Sequence, residues 1–178
     1  EGDGKDELAV LYGGSPGTVA VYAVSGDSSP TIIPSLTTTV GNNPVDMDAK
    51  DLNNDGKEDL VIANADDSSV TVLTSTIQLN NILNFDSKTV NVPGSNQKPS
   101  CVAIIDWNNN LSPIGDIVVG IDKIDENEND VLQVLLDVTT DGANGGTVGP
   151  SFTIPKYDYA GVEFPDAPTG VDGFKGGT

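Results

Sequence analysis

The sequence predicts an all-β domain, and three features of the 178-residue chain carry that prediction. The apolar segments are short, rich in Val, Ile and Thr, and bounded by Gly, Pro, Asn and Asp, which is typical of strands joined by tight turns. Nowhere do apolar residues recur at helical spacing across a dozen positions. Finally, the pattern of strands repeats along the chain, which indicates several similar units rather than one irregular sheet.

The repeat is clearest in an acidic segment that occurs three times. The fullest copy begins at Asp51 and reads Asp-Leu-Asn-Asn-Asp-Gly-Lys-Glu-Asp-Leu-Val-Ile. The N-terminal copy, Asp3-Gly-Lys-Asp-Glu-Leu-Ala-Val, matches the last eight residues of that segment. The third copy is degenerate: Asp106-Trp-Asn-Asn-Asn leads after a short gap to Asp116-Ile-Val-Val. Each copy ends in an apolar run, so each is expected to lead into a strand.

A proline precedes two of these acidic segments at a constant distance. Pro44 and Pro99 stand seven residues before Asp51 and Asp106, and Pro168 begins a third segment of the same kind in a longer unit. An apolar residue follows each proline by three positions. These residues are Met47, Val102 and Val171.

Each unit is predicted to contain four strands, which is typical of a β-propeller blade repeating every roughly 50 to 70 residues. We assign the blades to residues 1–50, 51–105 and 106–178. Because propellers close with about four to eight blades, we expect three antiparallel units in an incomplete ring. A sandwich whose hairpins repeat by chance is the alternative. The expected strands are Leu8–Tyr12, Thr18–Val24, Thr31–Thr39 and Pro44–Ala49 in the first unit, and Leu60–Ala63, Ser69–Thr74, Phe85–Val92 and Pro99–Ile105 in the second.

The charge of the chain excludes several classes of function. There are 27 Asp and Glu against 8 Lys, with no Arg and no His, so the formal net charge is −19. Such a chain repels phosphate backbones, and we expect no nucleic-acid partner. Without His there is neither a Ser-His-Asp triad nor an imidazole metal site, and the single Cys101 excludes an internal disulfide. No apolar run approaches the roughly 18 residues of a membrane-spanning helix, so membrane insertion is not expected.

The acidic loop from Asp51 to Asp59 is a predicted calcium site. Its oxygen-bearing side chains alternate at positions 1, 3 and 5, and Gly56 at position 6 permits the bend that returns a carboxylate at position 9. Oxygen donors alone in a flexible loop favour Ca²⁺ over zinc or copper. The alternative is an Asn-Asp-Gly turn with solvated acids. The predicted ligands are Asp51, Asn53, Asp55, Asp59 and the main-chain carbonyl of Lys57.

The other two copies are weaker candidates for metal binding. In the first, the matching positions are Asp3 and Glu7, and the opening ligand is missing. The third lacks the glycine, has one carboxylate fewer and has a longer gap, so hydrogen bonds of its Asn side chains are an alternative way to hold that loop. Its candidate ligands are Asp106, Asn108, Asn110 and Asp116.

With its upstream proline, the Asp-x-Asn-x-Asp-Gly-x-x-Asp-Leu loop resembles the FG-GAP/VCBS repeat family, the calcium-loop repeats of integrin-α-type β-propellers. The resemblance spans nearly the whole chain as three units and implies Ca²⁺ bound in a loop between strands of a blade. It also implies a secreted or cell-surface protein that acts in adhesion, in ligand binding or as a scaffold. Rings of this family have about seven blades, so this chain differs from the family in having only three expected blades.

The function expected from these features is that of a non-catalytic, Ca²⁺-stabilised module for binding, adhesion or structural assembly outside the cell. Its partners would be another protein or the remaining blades of a larger one, with carbohydrate as a further ligand class. One alternative is the propeller part of a polysaccharide lyase or hydrolase, for which Lys156–Tyr159 is the densest group of candidate acid–base residues. Another is a subunit of an extracellular filament or coat.

Overall fold

The computed structural model describes residues 7–25, 31–78, 82–94, 97–105, 115–123, 131–136 and 147–153. These residues form strands and no helix, so the all-β prediction is confirmed for the described part of the chain. The strands are β1 (Glu7–Tyr12), β2 (Thr18–Ser25), β3 (Thr31–Thr39), β4 (Pro44–Lys50), β5 (Asp59–Asn64), β6 (Ser69–Gln78), β7 (Ile82–Asn91), β8 (Gln97–Ile105), β9 (Asp116–Lys123), β10 (Val131–Leu136) and β11 (Thr147–Thr153).

The strands form three antiparallel sheets in which each strand pairs with its neighbour in sequence. Sheet 1 has the order β1-β2-β3, sheet 2 the order β4-β5-β6-β7, and sheet 3 the order β8-β9-β10-β11. This grouping is shifted by one strand from that expected from the sequence, which placed Pro44–Ala49 in the first unit and Pro99–Ile105 in the second. Pro44–Ala49 pairs instead with β5, with Met47 opposite Ile62 and Lys50 opposite Asp59, and Pro99–Ile105 lies in β8, which pairs with β9. The acidic loop is therefore a connection inside sheet 2, and residues 40–43 cross from sheet 1 to sheet 2.

Strand β5 lies at the centre of the described structure, and all six of its residues are buried. Because side chains alternate along a strand, Leu60 and Ile62 join a cluster with sheet 1, whereas Val61 and Ala63 join a cluster with sheet 3. Sheet 2 is thus covered on both faces, which explains why β5 has a continuous apolar sequence. The sheets pack in the order 1, 2, 3.

Polar contacts hold the loops at the end of the sheets where β4 begins. The backbone N–H and the side-chain amide of Asn42 donate to the two carboxylate oxygens of Asp67, over 2.7 and 2.8 Å. The side-chain amide of Asn43 donates to Asp66 over 3.1 Å. Here Gly17 lies against the ring of Pro44, where a Cβ would come within 2.5 Å of ring atoms. These contacts join the loops before β2, β4 and β6.

Among the described residues there is no helix of the length and apolar character that crossing a bilayer requires.

Candidate metal centre

The predicted calcium loop, residues 51–58, joins the paired ends of β4 and β5. Two of its residues have a left-handed backbone conformation: Asn54 with φ of 57° and Gly56 with φ of 83°. Asn tolerates this conformation better than most residues, and Gly adopts it without steric cost. The sequence Asn-Asp-Gly therefore allows the chain to turn tightly and return to the sheet at Asp59.

The acidic side chains of the loop accept hydrogen bonds from its main chain. The carboxylate of Asp51 accepts from the N–H groups of Asp55 (3.2 Å) and Gly56 (2.9 Å). The amide oxygen of Asn53 also accepts from the N–H of Asp55, over 2.9 Å. Side-chain oxygens at positions 1 and 3 are thus directed toward the middle of the loop, where they satisfy donors that the sheet does not use.

Asp59 is the most deeply buried acid of the loop, with no exposed surface. Its two carboxylate oxygens accept from the N–H groups of Leu52 (2.9 Å) and Ser75 (2.8 Å), so they tie both ends of the loop to β6. Burial raises the pKa of this carboxyl, and the negative charges of Asp55 and Asp51 add to that effect, against the two hydrogen bonds. The site thus holds an acid whose ionised form is disfavoured as long as no cation is close.

Lys57 compensates part of the charge at the outer side of the loop. Its ammonium group lies 2.7 Å from one carboxylate oxygen of Asp55, and its N–H donates to the other oxygen over 2.9 Å. Although partial burial works in the opposite direction, the hydrogen bonds and the charge of Lys57 lower the pKa of Asp55. Asp55 therefore remains ionised under conditions in which Asp59 is more easily protonated.

Leu52, the second residue of the loop, anchors it between sheets 2 and 3. Its side chain is only 1% exposed and belongs to the cluster that joins the two sheets. Its carbonyl accepts a hydrogen bond from the N–H of Gly115 over 2.7 Å. A Cβ at position 115 would lie 2.5 Å from a Leu52 methyl group, so a glycine is needed for this close approach. The position of the loop is therefore coupled to the packing of two sheets.

The chemistry of these residues fits a hard cation, since every donor is an oxygen. Their arrangement is less complete: within the described ranges, no three or more Asp, Glu, His or Cys side chains come together as a group that could hold a metal ion. The reason is visible in the contacts above, because the carboxylates of Asp51, Asp55 and Asp59 engage N–H groups around the loop. Metal binding would require these side chains to exchange some of those hydrogen bonds for the cation.

The remaining predicted ligands are only partly covered by the structure. Glu7 and Asp116 are the first residues of β1 and β9, and Asp116 is fully buried like Asp59. In sheet 3, Ile105 pairs with Asp116 as Lys50 pairs with Asp59 in sheet 2, so the repeat inferred from the sequence recurs in the strand pairing. The other candidates and the Lys156–Tyr159 group lie outside the described residues. Those candidates are Asp3, Asp106, Asn108 and Asn110.

Two further acids, which sequence reasoning missed, connect the sheets close to this loop. Asp46 and Asp48 lie on one face of β4, and their carboxylates accept from the N–H groups of Val102 (2.9 Å) and Ile104 (2.7 Å) of β8. Lys50, on the same face, donates to the carbonyl of Ile104 over 3.3 Å. The sequence signal that could have revealed these contacts is the alternation of three charged residues, Asp46, Asp48 and Lys50, after Pro44. This alternation places the charged side chains on one face of β4, and that face contacts the edge of sheet 3.

Comparison with known families bears on the N-terminal third of the chain. Residues 1–62, which include β1 to β4 and the whole Asp51–Asp59 loop, match the family model of the FG-GAP-like repeat. No curated protein sequence matches the chain. Repeats of this type typically occur in extracellular or cell-surface proteins and suggest a β-propeller-type module. Residues 1–62 are thus similar to an FG-GAP-like repeat, which confirms over this part of the chain the resemblance expected from the acidic loop.

Proposed function

We propose that this chain is a non-catalytic, Ca²⁺-stabilised module of a β-propeller-type protein, which serves binding, adhesion or structural assembly outside the cell. The observation that carries the proposal is the burial of the Asp59 carboxylate. This carboxylate is fully buried in the loop that also contains Asp51 and Asp55, and Lys57 is the only cation that the loop sequence supplies. A divalent cation would supply the missing charge.

The residues that would hold Ca²⁺ are Asp51, Asn53, Asp55 and Asp59, together with the carbonyl of Lys57. The cation would neutralise the mutual repulsion of the carboxylates. Because Leu52 lies within this loop and packs between sheets 2 and 3, a fixed loop would also fix the contact between those sheets. The role of the metal is therefore structural: it links the conformation of a turn to the packing of the core.

Calcium-dependent stability tests this role. A ligand that binds only the folded state at a concentration 100-fold above its Kd stabilises by about 2.7 kcal/mol. For a chain of 178 residues with an unfolding entropy of about 2.1 cal/mol/K per residue, this corresponds to an increase in Tm of about 7 °C. We expect Tm to rise by this order when Ca²⁺ is added to protein first treated with EDTA, and Mg²⁺ to have a smaller effect.

Variants distinguish this loop from the general acidity of the chain. Asp51→Asn removes one charge from the loop and is expected to abolish most of the calcium-dependent increase in Tm. Asp86→Asn, at an exposed position of β7, removes the same charge and is expected to keep the increase. If EDTA and Ca²⁺ leave the wild-type Tm unchanged, or if both variants behave alike, the loop does not bind calcium as proposed.

The absence of catalysis is a separate part of the proposal. The 178 residues include no His and no Arg, so general acid–base chemistry of this chain at neutral pH would depend on carboxylates, Lys, Tyr or the buried Cys101. Burial raises the pKa of the Cys101 thiol, which disfavours the reactive thiolate. Incubation with acidic polysaccharides, with and without Ca²⁺, should give no cleavage. Turnover that is lost in Tyr157→Phe or Tyr159→Phe would instead support the enzyme alternative.

A further inference from the structure

Lys57 places a positive charge on a carboxylate that is also a proposed ligand of the metal. Its ammonium group lies 2.7 Å from one oxygen of Asp55, and its backbone N–H donates to the other oxygen over 2.9 Å. One residue therefore engages both oxygens of this carboxylate. The side chains of Lys57 and Asp55 are 29% and 34% exposed, so the ion pair lies at the outer side of the loop, where an ion from solution would arrive.

The other two acids of the proposed site accept hydrogen bonds from neutral donors. The carboxylates of Asp51 and Asp59 bond to backbone N–H groups of the loop and of β6. A carboxylate has about four acceptor positions, and a neutral N–H group uses one of them without repelling a cation. The ammonium group of Lys57 differs, because its charge repels a second cation on the same carboxylate. Among the contacts described for this loop, the pair of Lys57 with Asp55 is the one that a divalent cation opposes electrostatically.

The repeated segments associate this lysine with the acid that it contacts. In the N-terminal copy, residues 3–5 again read Asp-Gly-Lys, so a lysine follows the acid by two positions as Lys57 follows Asp55. The third copy has Asn110 in the place of Asp55, and residues 106–116 contain no lysine. The lysine is thus present in the two copies that have a carboxylate at this position and missing from the copy that has an amide.

We propose that the side chain of Lys57 is an internal counter-ion, which stabilises the loop when no calcium is bound and competes with Ca²⁺ for Asp55. This inference rests on the proposed function, because it concerns the affinity of the same site. Lys57 then has two opposed roles: its carbonyl would bind the cation, whereas its ammonium group raises the Kd. The charge of the ligand set is one of the properties that tune calcium affinity, and extracellular modules have Kd values of about 10⁻⁴–10⁻³ M. A weakened site of this kind fits a protein that meets calcium outside the cell.

Lys57→Gln tests the competition, because it removes the charge but keeps the main-chain carbonyl and most of the side-chain length. Ca²⁺ is added to protein that has been treated with EDTA and dialysed, and its Kd is measured by competition with a chromophoric chelator. Partly exposed ion pairs have modest energies, and the repulsion of a divalent cation adds to that of the broken pair. We therefore expect a Kd about three- to ten-fold lower than that of the unmodified chain.

Lys98→Gln is the matched control. It removes the same charge at an exposed position near the start of β8, six residues or about 20 Å along the strand from Ile104. Ile104 is the residue of β8 that Lys50 contacts just before the loop begins. Because this separation is about twice the Debye length at 0.1 M salt, the control should change the Kd by less than about two-fold.

Thermal unfolding of Lys57→Gln gives a second readout, in which the two roles of the side chain have opposite signs. In EDTA the variant lacks the counter-ion, and its Tm should be about 1 to 3 °C below that of the unmodified chain. In excess Ca²⁺ its increase in Tm should be about 2 to 4 °C larger, since the stabilisation grows with the logarithm of the affinity. A variant that is only destabilised would instead have the same deficit in Tm under both conditions.

Salt separates the effect of the charge from that of side-chain shape. The Debye length is about 10 Å at 0.1 M and about 3 Å at 1 M ionic strength. The ratio of the Kd of the unmodified chain to that of Lys57→Gln should therefore fall below about two-fold in 1 M KCl. A ratio that is the same at both salt concentrations would show that the side chain acts through its shape, and the proposal would be wrong.

The calcium titrations distinguish failure of this inference from failure of the proposed function. If the unmodified chain binds Ca²⁺ and Lys57→Gln binds it with the same or a higher Kd, Lys57 does not compete, although the calcium site remains. If neither protein binds Ca²⁺, both proposals are wrong. Binding by Lys57→Gln alone would support the competition in its strongest form, in which the ammonium group excludes the cation.

Discussion

Leu52 connects the acidic loop with the hydrophobic core, and Leu52→Ala measures how strongly. The substitution removes three carbons from a side chain that is 1% exposed. At about 0.8 kcal/mol per buried carbon the transfer term is about 2.4 kcal/mol. A residual cavity of about 50 Å³ would add about 1.2 kcal/mol. We therefore expect the free energy of unfolding to fall by about 3.5 kcal/mol.

Urea unfolding followed by circular dichroism measures this change, since a lower midpoint with an unchanged m-value reports lost stability. Thermal unfolding should show a Tm lower by about 9 °C, given the unfolding entropy of a chain of this length. Ile77→Ala removes a similar volume from a side chain that is 41% exposed, and it should cost no more than about 1 kcal/mol. If Leu52→Ala costs as little as that control, the side chain does not hold the two sheets together.

A double-mutant cycle with Gly115→Ala tests the contact itself. In the wild-type background the added methyl group would lie 2.5 Å from a methyl group of Leu52, and overpacking of this kind costs about 1 to 3 kcal/mol. In the Leu52→Ala background the same methyl group enters the vacated space, so its cost should fall by at least about 1 kcal/mol. Additive effects of the two substitutions would contradict the packing described for Leu52 and Gly115.

Further predictions concern the links between sheets, the titration of the buried acid and one close backbone contact. Asp48→Ala removes a carboxylate acceptor 2.7 Å from a backbone N–H of β8 and should cost about 1.5 to 3 kcal/mol in urea unfolding, whereas Asp86→Ala, on the exposed side of β7, should be nearly neutral. Because the folded-state pKa of Asp59 is raised, its contribution to stability in EDTA is fully present below the unfolded pKa of about 3.9 and is lost as pH rises through the folded-state pKa. The free energy of unfolding of Asp59→Asn, measured in urea with EDTA, should therefore decrease less between acid and neutral pH than that of the unmodified chain. If the two pH profiles are the same, the pKa of Asp59 is not raised. Gly17→Ala should lower Tm because its methyl group would overlap the ring of the proline that opens β4, whereas Gly13→Ala has no neighbouring atom within 4 Å and should not.

Sequence patterns predicted the strands well, because each strand is a local feature. Short β-branched runs between turn residues located β1 to β9, and the acidic repeat located the turn before β5. The grouping of strands into sheets was less accessible, since Pro44–Ala49 is adjacent in sequence to both β3 and β5. In the structure this strand belongs to the sheet of β5, because Lys50 pairs with Asp59. The eight-residue loop between the two strands therefore lies inside one sheet, although the repeat had suggested a boundary between two units there.

The candidate site shows the same division between local pattern and tertiary contact. The spacing of Asp51, Asn53, Asp55 and Asp59 identified the loop and its oxygen chemistry, because alternation and a glycine bend are properties of nearby residues. Nothing in that spacing indicates that Asp59 is fully buried or that it accepts hydrogen bonds from Leu52 and Ser75. The contact with Ser75 arises only where β6 packs beside β5, and the contact with Leu52 depends on how the loop closes in the folded sheet.

The sequence by itself indicated that this protein is all-β and strongly acidic, that oxygen-bearing side chains alternate in its Asp51–Asp59 loop, and that its first 62 residues are similar to an FG-GAP-like repeat. Composition and short-range periodicity are sufficient for these conclusions, because they depend on residues within one turn or one strand. Only the tertiary structure decided which strands share a sheet, that Leu52 lies between two sheets, and that Asp46 and Asp48 bond the edge of β8. The contacts of Leu52, Asp46 and Asp48 join residues that are more than 50 positions apart. Their energies come from burial and from hydrogen bonds to backbone groups, which local sequence does not specify.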